Sequence, residues 1–243
     1  MRSARLFFLA LLCLVLFSPA TYAKPLVADL SQYRIEIDSS FTGTRLLLFG
    51  ARNDIGDIVI VVRGPNRQFV VRRKERVAGL WVNRKQQHFD NVPTFYTLAA
   101  SKSFQDMHAS PLFASLRIGL QEAVTGNDKN DDTSFVDALI HSQQSQRLYS
   151  QNVQKVSFMG ESLFKFVIPF PDNIPGGDYV ADIYLFNDGQ LSSMQSIPLH
   201  VEKIGFDAFI SDFAYSHSVF YGFFAILLAL FIGWGASSLM QKL

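Results

Sequence analysis

Apolar and polar positions alternate along Tyr33–Asp38 (YRIEID), the period of a strand with one face buried. Phe41–Thr44 reads as a turn, and Arg45–Phe49 as an apolar strand ended by Gly50. Asn53 and Asp54 open the next turn. Asp57–Val62 (DIVIVV) is rich in β-branched residues and is expected at the centre of a sheet. Gly64-Pro65-Asn66 turns the chain, Gln68–Arg73 completes a hairpin, and Val92–Ala99 is a further strand. The period then changes. Pro111–Ala123 gathers Leu112, Leu116, Ile118 and Leu120 near one helical face. After a polar break at 126–132, Asp132 or Thr133 caps a second helix over Ser134–Tyr149, with Phe135, Leu139 and Leu148 inward. Strands return at Leu163–Ile168, Asp178–Phe186 and Leu191–Glu202, the last two flanking Asn187-Asp188-Gly189, a hairpin signal. The expected fold class is mainly β: an antiparallel, immunoglobulin-like β-sandwich with a two-helix insertion at about 105–150, followed by one C-terminal transmembrane helix. Two small domains divided near 105–150 are the alternative.

The chain ends break this alternation. Met1–Arg5 is basic, Leu6–Phe17 is apolar, and small residues follow to Ala23, the layout of a signal peptide cut between Ala23 and Lys24. An uncleaved anchor is the alternative. Val219–Met240 carries no charge over 22 residues, enough for about 30 Å of hydrocarbon, with Tyr221 and Trp234 near its ends. The expected scheme is a signal peptide at 1–23, a periplasmic domain at 24–204, a juxtamembrane helix at 205–218, a transmembrane helix at 219–240 and a cytoplasmic tail at 241–243.

Composition narrows the chemistry. The expected cut removes Cys13, the one cysteine, and with it any disulfide, thiolate nucleophile or cysteine metal ligand. It also takes two of the 22 basic residues, leaving a net charge of about −1 against 21 acids. The charge is unevenly spread: acids collect at 122–137, and Val61–Lys85 (VVRGPNRQFVVRRKERVAGLWVNRK) holds eight basic side chains and one acid, Glu75. Gly160-Glu161-Ser162 begins like a nucleophile elbow but lacks its second glycine. The five histidines form no H-x-x-x-H or H-E-x-x-H pair. Asp128, Asn130 and Asp132 have the first spacings of a calcium loop, but Thr133 and Leu139 stand where its glycine and bidentate glutamate belong. No catalytic residue, metal or cofactor is therefore assigned.

Two surfaces remain. Arg63, Arg67, Arg72, Arg73, Lys74 and Arg76 form a basic patch, read first as the wet face and edge of a sheet and next as a face toward anionic lipid or an acidic partner. Outside the cytosol nucleic acid is excluded as partner. Trp81 is read as core, with an interface aromatic as alternative. In the C-terminal run Ala225, Ala229, Gly233 and Ser237 recur every four residues, a small-residue face against which another helix can pack.

Six phrases together, FTGTRLLLFGA (41–51), VVRGP (61–65), VRRKERVAGLWVN (71–83), VPTFYTLAAS (92–101), IPGGDYVADIYLF (174–186) and YGFFAILLALFIGW (221–234), resemble a family of single-span transmembrane proteins of alphaproteobacteria. The resemblance implies a Gram-negative inner membrane and a periplasm, and brings no activity or binding residue. The expected protein is non-enzymatic, a binding or accessory module. Its partners are the lipid bilayer and another integral membrane protein, such as a transporter, or its own second copy through the C-terminal helix. A periplasmic anion sensor read by Arg63, Arg72, Arg73 and Lys74 is the second reading, and a membrane-tethered hydrolase the third.

Overall fold

The computed structural model describes residues 26–77, 79–104, 107, 111–125, 132–205 and 214–240, and of residues 77, 80, 111, 220 and 235–240 the backbone alone. The expected signal peptide, most of the 126–132 loop, residues 206–213 of the juxtamembrane segment and the 241–243 tail lie outside these residues.

The described chain is mainly β. Strands β1 (Leu26–Leu30), β3 (Thr44–Arg52), β10 (Leu163–Phe170) and β9 (Ser157–Met159) form a four-stranded sheet in the order β1-β3-β10-β9. Strands β2 (Arg34–Ile37), β12 (Gln190–Lys203), β11 (Gly177–Asn187), β4 (Asp57–Arg63), β7 (Tyr96–Ala100) and β8 (Gln154–Lys155) form a six-stranded sheet in that order. Strands β5 (Asn66–Val77) and β6 (Leu80–Pro93) pair only with each other. Alternation does what the sequence promised: β10 is exposed at every odd position and buried at every even one. In β4, flanked on both sides, Ile58–Val62 are fully buried.

Both sheets feed one core. Phe170 of β10 meets Tyr179 of β11 edge-on, with ring centroids 6.0 Å apart, and Phe95 stacks on Phe170 at 5.1 Å. The Gln195 side chain of β12 accepts from the Ala28 amide and donates to the Ala28 carbonyl, both at 2.8 Å, fastening β12 to β1 of the other sheet.

Three expectations need correction. The pairing is not all antiparallel: β2 runs parallel to β12, and β7 parallel to β8. The insertion holds three short helices among the described residues, α1 (Pro111–Ser115), α2 (Leu120–Thr125) and α3 (Thr133–Ser145). The single helix read over Pro111–Ala123 breaks because Arg117 (φ 53°) and Gly119 (φ 135°) turn left-handed, which drives Ile118 into the core. Asp132 caps α3 as expected, accepting from the Ser134 amide at 3.0 Å. Finally, no helix among the described residues is long and apolar enough to cross a membrane. The C-terminal helix α4 covers Ser218–Met240. The fold class that ended in a transmembrane helix is therefore not the one observed.

Candidate functional site

Two strands paired only with each other are marginal in water, so β5 and β6 need a foothold. They have one at the base, where Phe69 and Val71 pack on the core and Phe89 and Val92 enter it. Further out the ribbon is held by one face. Residues directly opposed in an antiparallel pair share a face. Arg73 lies opposite Lys85 and Glu75 opposite Val82, on the face that meets α3. There Arg73 donates to the Ser134 hydroxyl, and its guanidinium sits 4.7 Å from the Phe135 ring centroid. The Asp132 carboxylate is held below the usual range, chiefly by the Ser134 hydroxyl and amide, and further by Arg73 and Lys85. On this face the acids Glu75 and Asp132 offset most of the positive charge within the molecule.

The opposite face has no such offset. It carries Val70 with His88, Arg72 with Gln86, Lys74 with Asn83 and Arg76 with Trp81. Arg72, Lys74 and Arg76 stand two residues apart, about 7 Å between neighbours, in a row without an acid. All three are exposed, and among the described residues none has an ion-pair or hydrogen-bond partner. Glu75, the acid nearest in sequence, is turned to the other face and bonded by Arg84 at 3.3 Å. Trp81 is 68% exposed at the distal end of the row, which corrects its reading as core: it faces outward beside Arg76, where no sheet covers it.

The six expected patch residues therefore separate. Arg72, Lys74 and Arg76 form the free row; Arg67 is exposed at the base; Arg73 serves α3. Arg63 is no part of the surface. Its Nη1 donates to Asp182 Oδ2 at 2.5 Å, and its Nη2 to the carbonyls of Leu116 at 2.8 Å and Arg117 at 3.0 Å. Only 19% of its side chain is exposed, so it fastens the helical insertion to the sheet. The anion-sensor reading needed Arg63, Arg72, Arg73 and Lys74 to converge on one pocket, and they do not.

The remaining candidates form no site with this row. Ser162 sits in the turn before β10, where its carbonyl accepts from the Arg52 amide at 2.9 Å. Asp128 and Asn130 of the calcium-like loop lie outside the described residues, and Asp132 is engaged as a helix cap. Ala225, Ala229 and Gly233 are exposed on α4; the Ser237 side chain lies outside the described ones. Sequence reading missed strand β6, whose Asn83–His88 stretch has no apolar alternation. Its cross-strand pairing, not burial, makes it a strand.

Comparison with known families now bears on the chain. The family described as "Putative transmembrane protein (Alph_Pro_TM)" matches residues 25–242. The chain belongs to this family. No curated protein matches it. Membership in the Alph_Pro_TM family is consistent with a membrane location, and on α4 Val219, Tyr221, Phe223, Phe224, Ile226, Leu228 and Trp234 are 43–82% exposed.

Proposed function

We propose that this member of the Alph_Pro_TM family is a non-enzymatic binding or accessory module at the inner membrane. Its β domain lies on the periplasmic side, and its β5–β6 ribbon engages an anionic lipid surface. The observation that carries this reading is the acid-free row Arg72–Lys74–Arg76 ending in exposed Trp81. Each such cation contributes about 1 kcal/mol near an anionic leaflet, so the row contributes about 3 kcal/mol, or a factor of about 10². Salt screens that attraction within about 10 Å at 0.1 M. An indole favours the interface between headgroup and acyl chain, which suits Trp81 at the end of the row.

The test uses the full chain in nanodiscs, with Trp234→Phe leaving Trp81 as the one tryptophan. In discs containing anionic lipid the Trp81 emission shifts to the blue and resists acrylamide quenching. In zwitterionic discs, in high salt, or with Arg72, Lys74 and Arg76 all replaced by Glu, it does not. Identical Trp81 spectra in both kinds of disc would sink the proposal. Protease access to the β domain from the periplasm of intact spheroplasts tests the assigned side.

A further inference from the structure

Among the described residues the four-stranded sheet buries one face and leaves the other open. Along β1, β3 and β10 the buried positions (Leu26, Ala28, Leu30, Leu46, Leu48 and Ile168 among them) alternate with outward ones. The outward side chains line up by register. Val27 opposes Ala51, Ala51 opposes Leu163, and Leu163 opposes Met159, one row across four strands. The next row runs Asp29, Phe49, Lys165, and the third holds Leu47 beside Val167. Val27, Leu47, Phe49, Met159, Leu163 and Val167 are 36–54% exposed, around a depression of about 490 Å³. At about 4.8 Å between strands and about 3.3 Å per residue, the 5, 9, 8 and 3 residues of β1, β3, β10 and β9 make a face of about 400 Å². On each side of a contact that is the small end of the range, where weak or transient interfaces lie.

The charges select the occupant. A two-fold interface must match itself, residue i of one copy meeting j of the other and j meeting i. Asp29 and Lys165 flank Phe49 on opposite sides in one row. A two-fold axis running along β3, in the plane between two facing sheets, preserves the row and reverses its order. Asp29 then meets Lys165 of the second copy twice over, Phe49 meets its counterpart on the axis, and Val27 meets Leu163 across the small Ala51. An axis running across the strands would instead set Asp29 on Asp29. We infer that the outer face of the four-stranded sheet is the interface of a two-fold homodimer, centred on Phe49 and keyed by Asp29 and Lys165. This goes beyond the ribbon's role and stands on different strands.

The test is cross-linking of the full chain in native membranes, in a Cys13→Ser background. Facing sheets lie about 10 Å apart, so Phe49→Cys is coupled to its own counterpart by a bismaleimide of about that reach. The expected product has twice the mass of the chain. Asp29→Lys or Lys165→Asp alone lowers its yield at least tenfold, and the two together restore it. The restoration separates a broken interface from a misfolded chain. Absence of a cross-link in the Phe49→Cys chain, coupling of that thiol to a different protein, or a double charge variant as poor as the singles would each overturn the inference.

Discussion

Arg63 offers the sharpest test of how the helical insertion is held. Asp182, its partner on β11, is 8% exposed and accepts side-chain bonds from Arg63 at 2.5 Å and from the Ser196 hydroxyl at 2.6 Å. Arg63→Met keeps the aliphatic stem but leaves this carboxylate with the neutral Ser196 hydroxyl and Tyr184 phenol and no counter-charge, and leaves the Leu116 and Arg117 carbonyls without their guanidinium. Removing one member of a buried ion pair costs about 3–5 kcal/mol, since the survivor stays desolvated without a counter-charge. For a chain of this size that lowers the midpoint of thermal unfolding by about 6–20 °C. Denaturant unfolding of the full chain in mild detergent measures the loss, and hydrogen exchange locates it: amides of α1 and α2 exchange faster than those of β4. The double variant Arg63→Met/Asp182→Leu removes both charges and recovers most of the stability. A loss below about 1 kcal/mol in Arg63→Met, or a double variant no better than the single, would show that the pair does not anchor the insertion.

Two further predictions concern the core and a turn. Burial pushes the Tyr96 phenol from its ordinary value near 10 up to about 12, and Tyr149 and Tyr179 shift the same way for the same reason. A folded-state value above the unfolded one means stability is complete below pH 10 and is lost as pH rises from 10 through 12. Tyr96 alone removes about 1.4 kcal/mol per pH unit there, which denaturant midpoints at about pH 9, 10.5 and 11.5 would register and Tyr96→Phe would lessen. Gly189 sits at φ +78°, and a Cβ there meets nothing within 4 Å, so Gly189→Ala costs about 1 kcal/mol from backbone strain alone while Gly189→Asn costs less. Equal unfolding free energies for the two variants would remove the strain argument.

Local signals made much of the fold legible. Asn187-Asp188-Gly189 marked the β11–β12 hairpin, and Asp188 and Gly189 do adopt the left-handed conformation such a turn requires. The β-branched run of β4 announced a strand covered on both sides. Pairings between distant segments carry no such mark. Nothing in Arg34–Ile37 says that it will lie parallel to His200–Lys203, and the short strands β8 and β9 exist because longer neighbours recruit them. Gly119 stood in plain view inside the expected helix, yet its effect depends on Arg63 and Tyr96, which bind the Arg117 carbonyl from elsewhere in the chain. Strand alternation along Gln68–Arg73 already sets Arg72 and Arg73 on opposite faces. Which cations point outward follows from the pairing of β5 with β6, and Arg63 belongs to a different structure altogether.

The last strand before the C-terminal helix lies inside its sheet, with β11 on one side and β2 on the other. Its final residues are bonded on the β2 side to the end of that strand, where the Ile204 amide donates to the Ile37 carbonyl at 2.8 Å. A force drawn along this strand therefore meets no free border from which to peel the domain open. It must shear two ladders at once, many bonds yielding together, so the β domain is built to stay folded while its attachment is pulled.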